Sequence, residues 1–239
     1  YFANKIDESS LIIALDNLQE KLIKEDGVIY TPMYIVKEMI KIADPSKEMN
    51  ILEPSCGHGI FLIGLLEFMK NKYFFSGEEL LEWFKNKVVA IEISENTVIE
   101  ARNILSAYFK KHFSLDVNVN YFSNINIEDS LKFNVINEID LCIGNPPYIR
   151  AKNLEATYLK YLKLNYSSCS KGTIDIYFAF IEKYINVAKK LVFITPNSFL
   201  TSKSGKVLKE KILTGLEYLI DFKEKKIFKD ASVYTCIFM

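Results

Sequence analysis

The chain has 239 residues, 49% of them hydrophobic, which is enough for one large domain with a full core. Its 30 Lys and Arg residues cancel its 30 Asp and Glu residues. That balance excludes a strongly basic, self-sufficient nucleic-acid grip: either the basic residues cluster on one face or the main grip lies outside this chain. No apolar run reaches the roughly 18 residues of a membrane span, and no basic-then-apolar leader is visible. The cysteines Cys56, Cys142, Cys169 and Cys236 are scattered without a C-x-x-C pair, as expected of reduced thiols in the cytoplasm, and they give no metal pattern.

Residues 1–26 read as a leading helical segment, with the main domain over residues 27–239. Thr31-Pro32 opens the first clear helix, Thr as N-cap and Pro at the first helical position. Its apolar stripe is Ile35, Met39 and Ile42 with Val36, Ile40 and Ala43. The strand candidates are Asn50–Glu53, Val88–Ile93, Val117–Phe122, Ile139–Ile143, Leu191–Thr195, Tyr218–Phe222 and Val233–Phe238. Helical segments separate them, which predicts an α/β fold: a doubly wound, mostly parallel, seven-stranded Rossmann-like sheet with helices on both faces. Ser76-Gly77-Glu78-Glu79 is a capping box and starts an extra helix. Residues 150–172, rich in Lys and Tyr, read as a surface excursion. The last strands are compatible with a hairpin at the sheet edge.

Two runs carry the chemistry. Glu53-Pro54-Ser55-Cys56-Gly57-His58-Gly59 follows the first strand and opens a helix, as a cofactor turn does. Gly57 and Gly59 let backbone approach a ligand closely, and the helix N-terminus favours a carboxylate. Glu92, at the end of the second strand, is placed to accept ribose hydroxyls. Asp129, after the third, is placed to accept from an adenine amino group. Asn145-Pro146-Pro147-Tyr148 follows the strand Ile139–Ile143. It offers a fixed amide, a carbonyl with no competing N–H and an aromatic ring, a set suited to gripping the amino group of a planar base. The histidines His58 and His112 lack a partner at metal-ligand spacing, and His58 reads as a turn residue.

Together these motifs resemble the gamma-class N6-adenine DNA methyltransferases, as in fused type II restriction–modification enzymes. The resemblance spans nearly all of residues 27–238 and implies S-adenosylmethionine as cofactor and a flipped adenine in double-stranded DNA as substrate. Gly27-Val28-Ile29-Tyr30-Thr31-Pro32 matches the motif ahead of the glycine turn, implying that Thr31 touches the methionine end of the cofactor. The matched turn implies that Glu53, Ser55, Cys56, Gly57 and Gly59 surround the amino-acid moiety. Ala90-Ile91-Glu92-Ile93 matches the ribose strand, with Ile93 on the adenine face, and Asp129-Ser130-Leu131 matches the acid that follows. The final Phe180 of Asp175-Ile176-Tyr177-Phe178-Ala179-Phe180 is implied to pack on the cofactor adenine. Phe228 is implied to stack on the flipped base opposite Tyr148. The same comparison places the target-recognition domain outside this chain, which would make it a catalytic fragment. Two other readings remain open from the residues: a release-factor glutamine or ribosomal-RNA amino-methyltransferase, and a non-catalytic DNA-modification subunit.

Overall fold

The computed structural model describes residues 31–228 and 233–239. The expected leading helical segment and the Gly27–Tyr30 half of the Thr-Pro motif lie outside the described residues. Among the described residues no helix is long and apolar enough to cross a membrane.

Helix α1 (Met33–Ala43) buries Ile35, Val36, Met39, Ile40 and Ala43, the expected stripe except for Ile42, which is half-buried. It begins one position later than expected. Pro32 occupies the N-cap, and its carbonyl accepts from the N–H groups of Ile35 at 2.9 Å and Val36 at 3.1 Å. The Thr31 hydroxyl is engaged instead by Asn145, far along the chain. Strand β1 (Ile51–Glu53) leads through the glycine turn into α2 (Ile60–Tyr73). Helix α3 (Gly77–Lys87) carries the expected capping box: Ser76 Oγ accepts from Glu79 N–H at 3.2 Å, and the Glu79 carboxylate accepts from Ser76 N–H at 2.8 Å. Strand β2 (Val88–Glu92) and helix α4 (Glu95–Phe113) follow.

The third strand is not where the sequence pattern put it. Residues Val117–Phe122 form no strand. Asn118 accepts from the Asn120 N–H with its own side chain at 2.9 Å, and this starts a 3-10 turn at Val119–Tyr121. Val117 and Phe122 are apolar because they pack into the core, not because they pair. Strand β3 is Ile125–Ile127, and Arg102 ties it to α4 by donating to the Ile125 carbonyl at 2.7 Å. The remaining elements are β4 (Ile139–Gly144), α5 (Ala156–Asn165), α6 (Ile176–Ile185), β5 (Ala188–Pro196), α7 (Lys206–Leu213), β6 (Leu219–Asp221) and β7 (Thr235–Phe238).

The seven strands run in the order β3-β2-β1-β4-β5-β7-β6. Strands β3 to β5 are parallel; β7 is antiparallel to both β5 and β6, the edge hairpin that the sequence left open. Alternation along β5 shows the double winding. Val192 and Ile194 point into the core beneath α1–α4, and Leu191 and Phe193 into the core beneath α5–α7. Strand order reverses between β1 and β4, and ligands in such sheets sit outside the carboxyl ends of the strands at that reversal.

Helix α2 sits tight against α1 because Gly64 has no side chain. A Cβ there would lie 2.6 Å from Val36 Cγ1 and 2.8 Å from Ile40 Cδ1. Gly64→Val is expected to destabilise the chain by about 1–3 kcal/mol through overpacking. Denaturant unfolding of the two proteins checks this.

Candidate active site

The two motif loops meet at the β1/β4 reversal. Within the glycine turn, Cys56 N–H donates to the Ile91 carbonyl at 2.9 Å and Gly59 N–H to the Cys56 carbonyl at 2.8 Å, so the turn is stitched to β2 and to itself. Gly57 has φ +51 and Gly59 φ +84, the left-handed region that favours glycine. A Cβ on Gly57 would meet nothing within 4 Å; its backbone faces open space. The Glu92 carboxylate is held in place by two backbone donors, Gly57 N–H at 3.1 Å and Ser94 N–H at 3.0 Å. Ser94 in turn caps α4.

Glu53 lies under the turn at 1% exposure. Burial, and then the Glu92 charge, holds its pKa well above the usual carboxylate value. Its Oε2 has no hydrogen-bond partner among the described residues. Cys56 is also buried, and its thiol is pushed far up by burial and by the same two carboxylates, so it is held as the neutral thiol.

The second loop leaves β4 after Gly144. Ser55 Oγ donates to the Asn145 carbonyl at 3.1 Å, joining the loops directly. The Asn145 side-chain amide donates to Thr31 Oγ1 at 3.0 Å. That bond fixes which way the amide points and leaves Asn145 Oδ1 buried without a partner among the described residues. Tyr148 donates its hydroxyl to the Ile194 carbonyl at 3.1 Å. Its ring packs edge-to-face on Tyr177 and on Phe228, with centroids 6.1 Å and 6.4 Å away.

A cavity of about 410 Å³ joins these groups. Thr31, Glu53, Ser55, Cys56 and Gly57 line its floor and one wall; Glu92, Ile93 and Asp129 line another; Asn145, Pro146, Pro147 and Tyr148 line the mouth of the second loop, and Phe180 reaches in from α6. Two residues expected at the site do not line it. Gly59 sits behind the turn against Leu62 and Ala101, and Phe228 is shut behind the Tyr148 ring. The lining also includes side chains that sequence reasoning did not assign to the site, His58 and Tyr158 among them. His58 is more than a turn residue: its Nε2 lies 2.7 Å from Glu100 Oε2 on α4, at the cavity wall. Tyr158 comes from the Tyr-rich excursion, and that composition was the signal available for it.

Residues 3–228 match the family model for the Eco57I restriction-modification methylase. The chain belongs to that family. It is 28% identical over 219 residues to the type II methyltransferase M.HincII of Haemophilus influenzae, covering 89% of this chain and 36% of that protein. It is 35% identical over 109 residues to the restriction enzyme and methyltransferase RM.Eco57I of Escherichia coli, covering 42% of this chain and 11% of that one. Members such as M.HincII are thus far longer: the chain spans roughly a third of that relative's length. Among solved structures, the DrdV–DNA complex superposes with a TM-score of 0.76 at 18% identity, over 99% of this chain and 29% of that chain. A structure described as a class I S-adenosylmethionine-dependent methyltransferase from Listeria monocytogenes gives 0.65 at 17% identity, over 99% and 69%. These superpositions show the methyltransferase fold.

The buried Glu53 makes the stability of this family member depend on pH. Its folded-state pKa is raised, so above the usual carboxylate value the folded chain keeps a proton that the unfolded chain has lost. Stability therefore falls as pH rises from there until the folded carboxyl itself ionises. Glu53→Gln removes the ionisation. It is expected to raise the melting temperature, with a gain that is smallest near about pH 5 and grows toward about pH 8. Thermal unfolding of both proteins across that range checks it; a gain independent of pH would contradict this account.

Proposed function

We propose that this chain carries the catalytic domain of a DNA adenine-N6 methyltransferase of a restriction–modification system, acting with S-adenosylmethionine on an adenine flipped out of the duplex. Asn145 Oδ1 carries this reading. It is a buried acceptor with no partner, its direction fixed through Thr31, at a cavity wall shared with the glycine turn and Glu92. Buried polar atoms are nearly always paired, so an open one in a cavity marks a place for a donor from outside.

The donor set fits the cofactor. Glu92 keeps lone pairs for ribose hydroxyls beyond the two backbone bonds it accepts. The open Gly57 backbone and the N-terminus of α2 suit the amino-acid end and its carboxylate. The unpartnered Glu53 Oε2 would meet the ammonium there. Ile93 and Phe180 supply apolar faces for the adenine, and Asp129 an acceptor for its amino group. When bound, the cofactor supplies an electrophilic methyl group.

The chain's own residues supply orientation. The exocyclic amine of adenine is a weak nucleophile because its lone pair is delocalised into the ring. Asn145 Oδ1 accepts one of its hydrogens and the Pro146 carbonyl the other, which draws the nitrogen toward tetrahedral geometry and turns its lone pair to the interior of the cavity. No base is needed before attack, since the amine becomes acidic only as it is alkylated and then yields its proton to solvent. The rate enhancement comes from placement and fixed dipoles. Tyr148, pinned by its hydroxyl, offers a face for the extrahelical base. Sequence reading falls to a domain or subunit beyond these residues: the relatives are far longer, and the motif residues of the cavity are spent on cofactor and target amine. The same amide grip would suit other planar amines and amides; family membership favours DNA.

Asn145→Ala is expected to abolish methyl transfer while leaving S-adenosylmethionine affinity within a few-fold. Single-turnover transfer of labelled methyl, with calorimetry alongside, separates the two. A near-normal rate in the variant would end the amine-grip mechanism, and nucleoside analysis of the product identifies the base. Phe228→Ala is expected to weaken capture of an extrahelical adenine by about 1–3 kcal/mol, the worth of one lost stack. A fluorescent adenine analogue at the target position reports it, and unchanged flipping would remove Phe228 from the base site.

A further inference from the structure

The excursion between β4 and α6 is not loose surface. Its helix α5 faces the loop after β3 and grips it with three tyrosines. Tyr161 and Tyr166 both donate to the Leu131 carbonyl, at 2.9 Å and 3.0 Å. Tyr158 donates to Asp129 Oδ1 at 3.0 Å, and the same oxygen accepts from Leu131 N–H at 3.0 Å. Lys132 Nζ lies 3.4 Å from the other carboxylate oxygen and also over the rings of Tyr158 and Tyr161. Tyr158 is at the same time a lining residue of the cavity, next to Asp129. It therefore stands between the Asp129 side chain and one direction in which that side chain could swing.

We propose that Tyr158 is a positioning residue for cofactor selection: by holding Asp129 Oδ1 it fixes the carboxylate in the one orientation that accepts an amino group at C6 of the cofactor base and repels a carbonyl there. This rests on the reading of the cavity as an S-adenosylmethionine site. Burial, and then the Asp129 charge, pushes the phenol far above its usual pKa, so it stays a donor throughout the working pH range. A carboxylate with one oxygen tied by a phenol and an amide cannot rotate to present a bare edge elsewhere without leaving both donors unpaired. The consequence is specific. Tyr158 makes Asp129 rigid, and rigidity is what separates adenine from hypoxanthine when one ring edge differs by donor and acceptor.

The test compares two probes, S-adenosylhomocysteine and S-inosylhomocysteine, by calorimetry on the wild-type chain, Tyr158→Phe, Asp129→Asn and the double variant. Wild type is expected to prefer the adenine compound strongly. Tyr158→Phe, which keeps the ring and its packing, is expected to lower that preference about tenfold, the equivalent of one hydrogen bond to a charged group. It should do so by losing affinity for the adenine compound and gaining some for the inosine compound. The double variant is expected to match Asp129→Asn, since the phenol acts only through the carboxylate. A preference unchanged in Tyr158→Phe overturns the proposal even if the variant binds both compounds more weakly, because a merely structural tyrosine would cost both equally. Wild type that binds both equally overturns Asp129 as the adenine acceptor and this proposal with it. Wild type that binds neither overturns the reading of the cavity itself.

Discussion

The single contact from Ser55 Oγ to the Asn145 carbonyl, across 90 residues of chain, shows what the rest of the site depends on. The two strands that carry the motifs are far apart in sequence and adjacent in the sheet, because strand order reverses between them. Neither loop has a helix on the same edge to cover its carboxyl end, so a crevice must form there. One loop supplies backbone, the other a side-chain amide and a ring. Thr31 then ties the amide to the start of α1, so three parts of the chain fix one oxygen.

That fixation has a cost, and its size explains the local electrostatics. Asn145 Oδ1 and Glu53 Oε2 are both buried and unpartnered. Leaving a buried acceptor unsatisfied costs about 1–3 kcal/mol, more for a charged group, and a domain is stable by only about 5–15 kcal/mol. Glu53 escapes part of that cost by keeping its proton, which is why its pKa is raised. Asn145 has no such escape. Only a tightly packed scaffold can hold both groups open, and the Gly64 contact between α1 and α2 is part of it.

The strands that flank the site were legible in the sequence because they are buried on both faces and read as short apolar runs: Ile51–Glu53, Val88–Glu92 and Ile139–Gly144 fall within a residue or so of expectation. Val117–Phe122 misled because apolar residues packing from a loop have the same composition as a strand. The deciding feature was Asn118, whose side chain closes a turn on its own backbone. Motif residues in tight loops were legible for a different reason: glycine takes φ +51 and +84 without the strain a Cβ brings, and only proline leaves a carbonyl without a neighbouring N–H. Contacts made by the excursion were not legible, since nothing in a Lys- and Tyr-rich segment says which carbonyl a tyrosine will reach. The same holds for His58, whose partner Glu100 is a helix away.

Phe228 shows where sequence and structure inform each other. The motif pattern placed it on one face of a flipped base, with Tyr148 on the other. Here the two rings touch at 71° with centroids 6.4 Å apart, and Phe228 is 2% exposed, so no planar ring fits between them. Of the two, Tyr148 is the anchored partner, because its hydroxyl is bonded to the Ile194 carbonyl inside the sheet. In the proposed reaction the base therefore enters by displacing Phe228. An edge-to-face pair is worth about 0.5–1.5 kcal/mol beyond its buried area, and a base stacked on an aromatic ring about 1–3 kcal/mol. A single stack on Tyr148 already matches or exceeds the pair that the base would break, and a second stack on the displaced ring would add to it. In that proposed reaction the closed aromatic pair would open only for a ring able to replace the contact that it breaks.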